Sequence, residues 1–176
     1  MNWKINLILL IGFAAISTSC GVYSFTGASI SPTVKTISIQ PFYNNSPLGP
    51  SNMSILFTEK IKEYYQRNTS LALVNEEGDL QIEGSIDNYT LSPVAVTASG
   101  SDKEVDLSSL TRITIFVTAS YANLEDDQFD YEDKQFSFIK DFDQNKDDLS
   151  ANEEEFVNEI FDQIILDIFN SSVANW

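Results

Sequence analysis

The residue with the most specific chemistry in this chain is Cys20, the only cysteine among 176 residues. It follows the small residues Ser17, Thr18 and Ser19, which close an apolar run from Leu7 to Ile16. A thiol in that place is suited to acylation rather than to disulfide formation or metal binding. An unpaired cysteine in an exported protein is otherwise open to oxidation. The other residues that invite chemistry are carboxylates. Asp141, Asp143, Asn145 and Asp147 stand at alternate positions, like the start of a calcium loop. The pattern then departs, because Lys146 stands where the sharp turn needs Gly and Asn152 where a bidentate Glu belongs, with Glu153 one residue late. The expectation for residues 141–148 is a solvated acidic loop before a helix. Asp126, Asp127, Asp130, Glu132 and Asp133 form a second cluster. Paired carboxylates hydrolyse glycosides only when one is shielded and its pKa raised, and a run of acids in a polar turn offers no shield. With no histidine, His-based triads and His–zinc sites are absent, and no phosphate-cradling glycine loop occurs. No catalytic, cofactor-binding or metal residue is assigned, and the chain is not expected to be an enzyme.

The start of the chain explains Cys20. A lone positive charge at Lys4 precedes the apolar run, which is about half the length a bilayer-spanning helix requires. Residues 1–19 read as a lipoprotein signal and residues 20–33 as a lipidated N-terminal segment. Acyl chains on Cys20, at about 0.8 kcal/mol per buried methylene, hold a soluble domain on a membrane when two or more are present. Ser17 occupies the position where the usual signal prefers Leu, a relaxed form that resembles signals of Bacteroidetes-type bacteria. Neither an Asp directly after Cys20 nor an acidic pair beyond it redirects sorting. The periplasmic side of the outer membrane is the expected location.

Charge excludes one partner class. The chain carries 26 Asp and Glu against 10 Lys and Arg, a formal charge of −16, and loss of Lys4 with the signal adds one more negative unit. Nucleic acid is excluded. Anionic headgroups repel such a surface, so the anchor and not electrostatics must hold it at a membrane. Twelve Phe and seven Tyr supply the core that a disordered acidic chain lacks.

The elements follow from pattern. Residues 34–42 alternate as a short strand, and 44–52 are a loop rich in Asn, Pro, Gly and Ser with a helix cap at Ser51 or Asn52. Residues 53–67 read as a helix with Ile55, Leu56, Ile61, Tyr64 and Tyr65 at helical spacing. A strand is expected at 71–74, and a long one from Leu80 in which Gly84 marks a bulge. Residues 97–110 lack periodicity, and with Val94 to Val96 they are a candidate partner contact. Residues 111–124 and 135–142 predict two strands paired antiparallel. Ser150 and Glu153 form a capping box that opens a helix with Phe156, Val157, Ile160, Phe161, Ile164, Ile165, Ile168 and Phe169 as its apolar stripe. Tyr43, Tyr89, Tyr121 and Tyr131 fall near strand ends, where they either cap the core or meet a partner. The order predicts one α+β domain over 34–176, a two-layer sandwich with two helices on one face of a mixed sheet of about four strands.

This arrangement resembles the LptE family of lipopolysaccharide-assembly lipoproteins. The resemblance begins at CGVYSFTGASI, continues through TISIQPFYNNSP and the run from Leu71 to Val94 containing EGSIDNYTLSPV, and closes with the amphipathic helix and DIFNSSVANW. It implies a lipoprotein that works with a large outer-membrane β-barrel, LptD, as plug and assembly partner in delivering lipopolysaccharide to the outer membrane. Lipopolysaccharide itself is the second partner the resemblance implies, and the scarcity of Lys and Arg favours a structural contribution over direct phosphate binding. The residues alone leave a second reading open, a lipid-anchored binding module for a glycan or a divalent cation.

Overall fold

A computed structural model describes residues 30–94 and 110–173. The signal, Cys20 and most of the 97–110 segment lie outside the described residues. The elements run β1 (Thr36–Ile39), β2 (Tyr43–Asn44), α1 (Met53–Asn68), β3 (Ala72–Val74), β4 (Leu80–Pro93), β5 (Leu110–Asn123), a 3-10 turn (Asp127–Phe129), β6 (Tyr131–Asp143) and α2 (Leu149–Ser172). They form the expected α+β sandwich. The sheet is mixed, in the order β3-β1-β4-β5-β6, with β2 pairing a further stretch of β4. Six strands replace the four or so expected; β3 falls where a strand was read at 71–74, and β2, with two residues, is too short for alternation to be visible.

The long strands set the frame. β4 and β5 each span 14 residues and pair antiparallel almost throughout, and β5 pairs antiparallel with β6. Ile113, Ile115, Val117, Ala119 and Tyr121 of β5 are buried beneath the helices, whereas the alternate residues Thr114, Phe116, Thr118 and Ser120 lie half-buried on the other face. β-branched residues on a pleated strand account for both faces. The bulge in β4 is at Asp87 rather than Gly84, since the register shifts between Ile86 and Asn88. Gly84 has another reason to be glycine. A Cβ there would collide with the Thr118 carbonyl oxygen and press on the Phe42 ring.

α1 buries Met53, Phe57, Thr58, Ile61 and Tyr65. Ile55, expected on the buried face, is 70% exposed. Met53, Phe57, Ile61 and Tyr65 recur every fourth residue and so lie on one stripe, which Ile55 falls outside. Phe57 packs between the sheet and α2, its ring 4.8 Å from both Phe42 and Phe161. The whole predicted stripe of α2 is buried, and each side chain contributes roughly 1.5 to 3 kcal/mol before entropy.

α2 begins earlier than the proposed capping box. Its N-cap is Asp148, whose carboxylate accepts from the Ser150 backbone N–H at 2.9 Å. Asp caps as well as Ser does, and it comes first in the chain. Glu153 does not fold back to cap the helix but accepts a hydrogen bond from the Tyr89 hydroxyl at 2.9 Å. The edge strand β6 turns Lys134 and Lys140 toward α2, where Lys134 Nζ donates to Ser171 Oγ and Lys140 pairs with Glu159. Charged stems on an edge strand discourage pairing with another chain.

Candidate functional site

The acidic turn between β5 and β6 is built from its own carboxylates. Asp126 accepts from the Gln128 N–H at 3.1 Å and Asp130 from the Asn123 N–H at 2.8 Å, while the Asp133 N–H donates to Ser120 Oγ at 3.0 Å. Asp133 has a φ of 49°, a left-handed conformation that Asp tolerates better than most residues. Asp126, Asp127, Asp130, Glu132 and Asp133 are all exposed. They order a turn, and no shielded carboxyl pair is among them. Beside this turn, on the sheet face away from the helices, an open groove of about 520 Å³ has Ser38, Gln81 and Ser120 in its lining and Glu77, Glu83 and Glu132 around them. Its polar lining offers hydrogen bonds and no nucleophile–base pair.

The alternating acids before α2 separate in space. Asp141 lies on the open sheet face and forms a two-pronged ion pair with Arg112, 2.7 Å from Oδ1 to Nε and 2.7 Å from Oδ2 to Nη2. The Arg112 guanidinium holds its carboxyl below the usual carboxylate range. Asp143 accepts from the Asn145 N–H at 3.0 Å and pairs with Lys146 at 3.1 Å. Asp148 caps the helix, and the Asn152 side chain donates to its carbonyl at 2.9 Å. Among the described residues no group of three or more His, Cys, Asp or Glu is placed to hold a metal ion.

Tyr89 and Tyr121 lie in the core and Tyr131 packs against it. Tyr89 is buried and tied to Glu153. Tyr121 is buried with its ring 5.8 Å from Tyr131. Burial is the first cause that raises the hydroxyl pKa of each of the three, with the Glu153 carboxylate adding to it at Tyr89 and Asp130 at Tyr121. Tyr43 instead is 73% exposed. Tyr65, read from the sequence as part of the helical stripe, is fully buried and shares a 2.6 Å hydrogen bond with Ser172 across the two helices, a partner that spacing within one helix does not reveal.

The open sheet face carries a small network of its own. Asp87, displaced by the bulge, accepts from the Ser85 and Thr118 hydroxyls at 2.7 and 2.5 Å. Around it stand Thr114, Phe116 and Ser120, with Ile139 and Tyr43 more exposed. This face is rich in short hydroxyl side chains and is left uncovered by either helix. Among the described residues no helix is long and apolar enough to cross a membrane. What the arrangement supplies is a stiff sandwich with distinct ends and one open face.

Two known structures share the fold at low identity. A hypothetical protein from Chlamydia trachomatis aligns with a TM-score of 0.51 and 9% identity, covering 78% of this chain and 97% of that one. A putative neuraminyllactose-binding hemagglutinin homolog from Helicobacter pylori aligns with a TM-score of 0.50 and 8% identity, over 83% and 87% of the two chains. The rare lipoprotein B from Shewanella oneidensis aligns with a TM-score of 0.47 and 12% identity, over 78% and 90%. No curated protein matches the sequence. The family model LptE, lipopolysaccharide-assembly, matches residues 34–172, from the residues before β1 to the end of α2. The chain therefore belongs to the LptE family.

Proposed function

We propose that this protein is an outer-membrane lipoprotein, acylated at Cys20 and facing the periplasm, that acts with a β-barrel of LptD type in the transport and assembly of lipopolysaccharide. Its contribution is that of plug and assembly factor, shape rather than chemistry. The observation that carries this reading is the family match over residues 34–172, which spans both layers of the sandwich. Its support in the geometry is that the acids singled out by the sequence serve as caps, turns and an ion pair. A densely packed core with a stripe of eight buried α2 side chains makes a rigid body, as a plug requires. Cys20 supplies the anchor that no described helix supplies.

The test is affinity purification of the tagged full chain from detergent-solubilised outer membranes, with partners identified by mass spectrometry. Recovery of a stoichiometric β-barrel of LptD type is the expected result. Recovery of the lipoprotein alone, under conditions that preserve other membrane complexes, would reject the assembly role.

A further inference from the structure

The two ends of the sandwich are not equivalent with respect to the anchor. Ile30, Ser31 and Pro32 line a groove together with Leu80, Asn123 and Phe129, so the chain arriving from Cys20 enters where β4 begins and β5 ends. The Lys35 and Thr36 N–H groups fix that entry by donating to Asp79 at 2.8 and 2.9 Å, and the Leu124 N–H donates to the Asp79 carbonyl at 3.0 Å. At the opposite end, the Val94 N–H donates to the Leu110 carbonyl at 2.9 Å. Strands of 14 residues are about 45 Å long at roughly 3.3 Å per residue.

The tether is shorter than the domain. Ile30 follows Cys20 by ten residues, and ten residues span at most about 35 Å whatever their conformation. An acylated Cys20 therefore keeps the Leu80–Asn123 end within about 35 Å of the leaflet that holds its chains, less than the length of the strands. That same end exposes apolar side chains, with Leu124 66% and Phe129 44% exposed in the turn from β5 to β6.

We infer that the β5–β6 turn is a membrane-facing surface, with Leu124 and Phe129 seated in the headgroup region of the leaflet that carries the Cys20 anchor, while the Val94–Leu110 end of the sheet stands away from it. This rests on the proposed acylation of Cys20. Glu125, Asp126, Asp127 and Asp130, exposed beside the two apolar residues, define the lipid. Anionic headgroups would repel them, whereas zwitterionic phosphatidylethanolamine presents an ammonium to each carboxylate. An apolar group seated at such an interface lies roughly 5–10 Å into the headgroup and acyl boundary.

The experiment uses the acylated full chain in phosphatidylethanolamine-rich vesicles, with Trp176→Phe removing the one tryptophan left after the signal is cleaved. Into this background Phe129→Trp, Leu124→Trp or Leu91→Trp is placed, and emission is read with lipids brominated at shallow or deep positions. The expected result is a blue shift and loss of emission at 124 and 129, stronger with shallow bromines, and none at 91, with the loss weakened when anionic phosphatidylglycerol replaces the zwitterionic lipid. Mass spectrometry of the N-terminal peptide separates the two ideas. A protein without acyl chains on Cys20 overturns both, while an acylated protein in which neither 124 nor 129 is quenched, or in which 91 is quenched as strongly, overturns the membrane-facing surface alone. A blue shift without quenching also overturns it, because the turn then packs on protein.

Discussion

The hydroxyl of Tyr89, buried in the middle of β4, donates to Glu153 Oε1 in the first turns of α2 at 2.9 Å. One bond thus fastens the central strand of the sheet to the start of the helix that covers it. Tyr89→Phe keeps the ring and removes only this bond. Glu153 is half-exposed and regains water, so a loss of about 1 kcal/mol is expected. Urea denaturation of Tyr89→Phe, Glu153→Gln and the double variant checks this. Strictly additive losses would mean that the two side chains do not act on each other.

Alkaline pH is a second test of the core. Burial raises the Tyr121 hydroxyl to about 12 and raises Tyr65, Tyr89 and Tyr131 as well. An unfolded tyrosine loses its proton near about pH 10. Below that pH all four are neutral in both states and their contribution is fully present. Above it the unfolded chain releases protons that the folded chain retains, so stability falls as pH rises toward the folded values. Denaturation midpoints should stay level up to about pH 9 and drop steeply beyond about pH 10. Tyr121→Phe should flatten the drop, and an unchanged slope in that variant would remove Tyr121 from the account.

The start of α2 separates two possible caps. Asp148→Ala removes the side-chain bond to the Ser150 N–H and should cost about 1 kcal/mol, within the usual range of 0.5–2. Ser150→Ala, at the site proposed from the capping-box pattern, should be close to neutral. Thermal melts followed by circular dichroism distinguish them. The reverse order would place the cap two residues later.

Gly84 tests the close approach between β4 and β5. Gly84→Ala brings its Cβ onto the Thr118 carbonyl oxygen and the Phe42 ring. Backbone cannot give way as a flexible side-chain tip can, so a loss of about 1–3 kcal/mol is expected. Asp87→Ala, at the actual bulge, should instead free the Ser85 and Thr118 hydroxyls with less effect on the core. Comparing their melting temperatures checks both.

The sequence alone determined whatever periodicity could express. Eight apolar residues from Phe156 to Phe169 repeat at helical spacing, and every one is buried. β5 alternates β-branched residues over most of its length, and its pairing with β6 followed from adjacency. The acids of the β5–β6 turn are exposed, as a run of carboxylates in a polar turn must be, whereas Asp141 and Asp143, expected in a solvated loop, end β6 and pair with Arg112 and Lys146. The family was legible in the order of these segments. Short-range patterns hold this information because each depends on neighbours within a few residues.

Only the tertiary structure decided which groups meet across long stretches of chain. β2 exists because β4 offers a free edge to it. Met53 and Phe57, not Ile55, face the core because α2 and Phe42 lie on that side. Glu153 serves Tyr89 rather than its own helix cap, Asp141 serves Arg112 rather than a metal loop, and Tyr65 meets Ser172. Each of these outcomes is a competition between a local partner and a distant one. The distant partner won where folding brought the two together out of water, since a hydrogen bond sheltered by packing is retained while a local one in solvent exchanges freely with water.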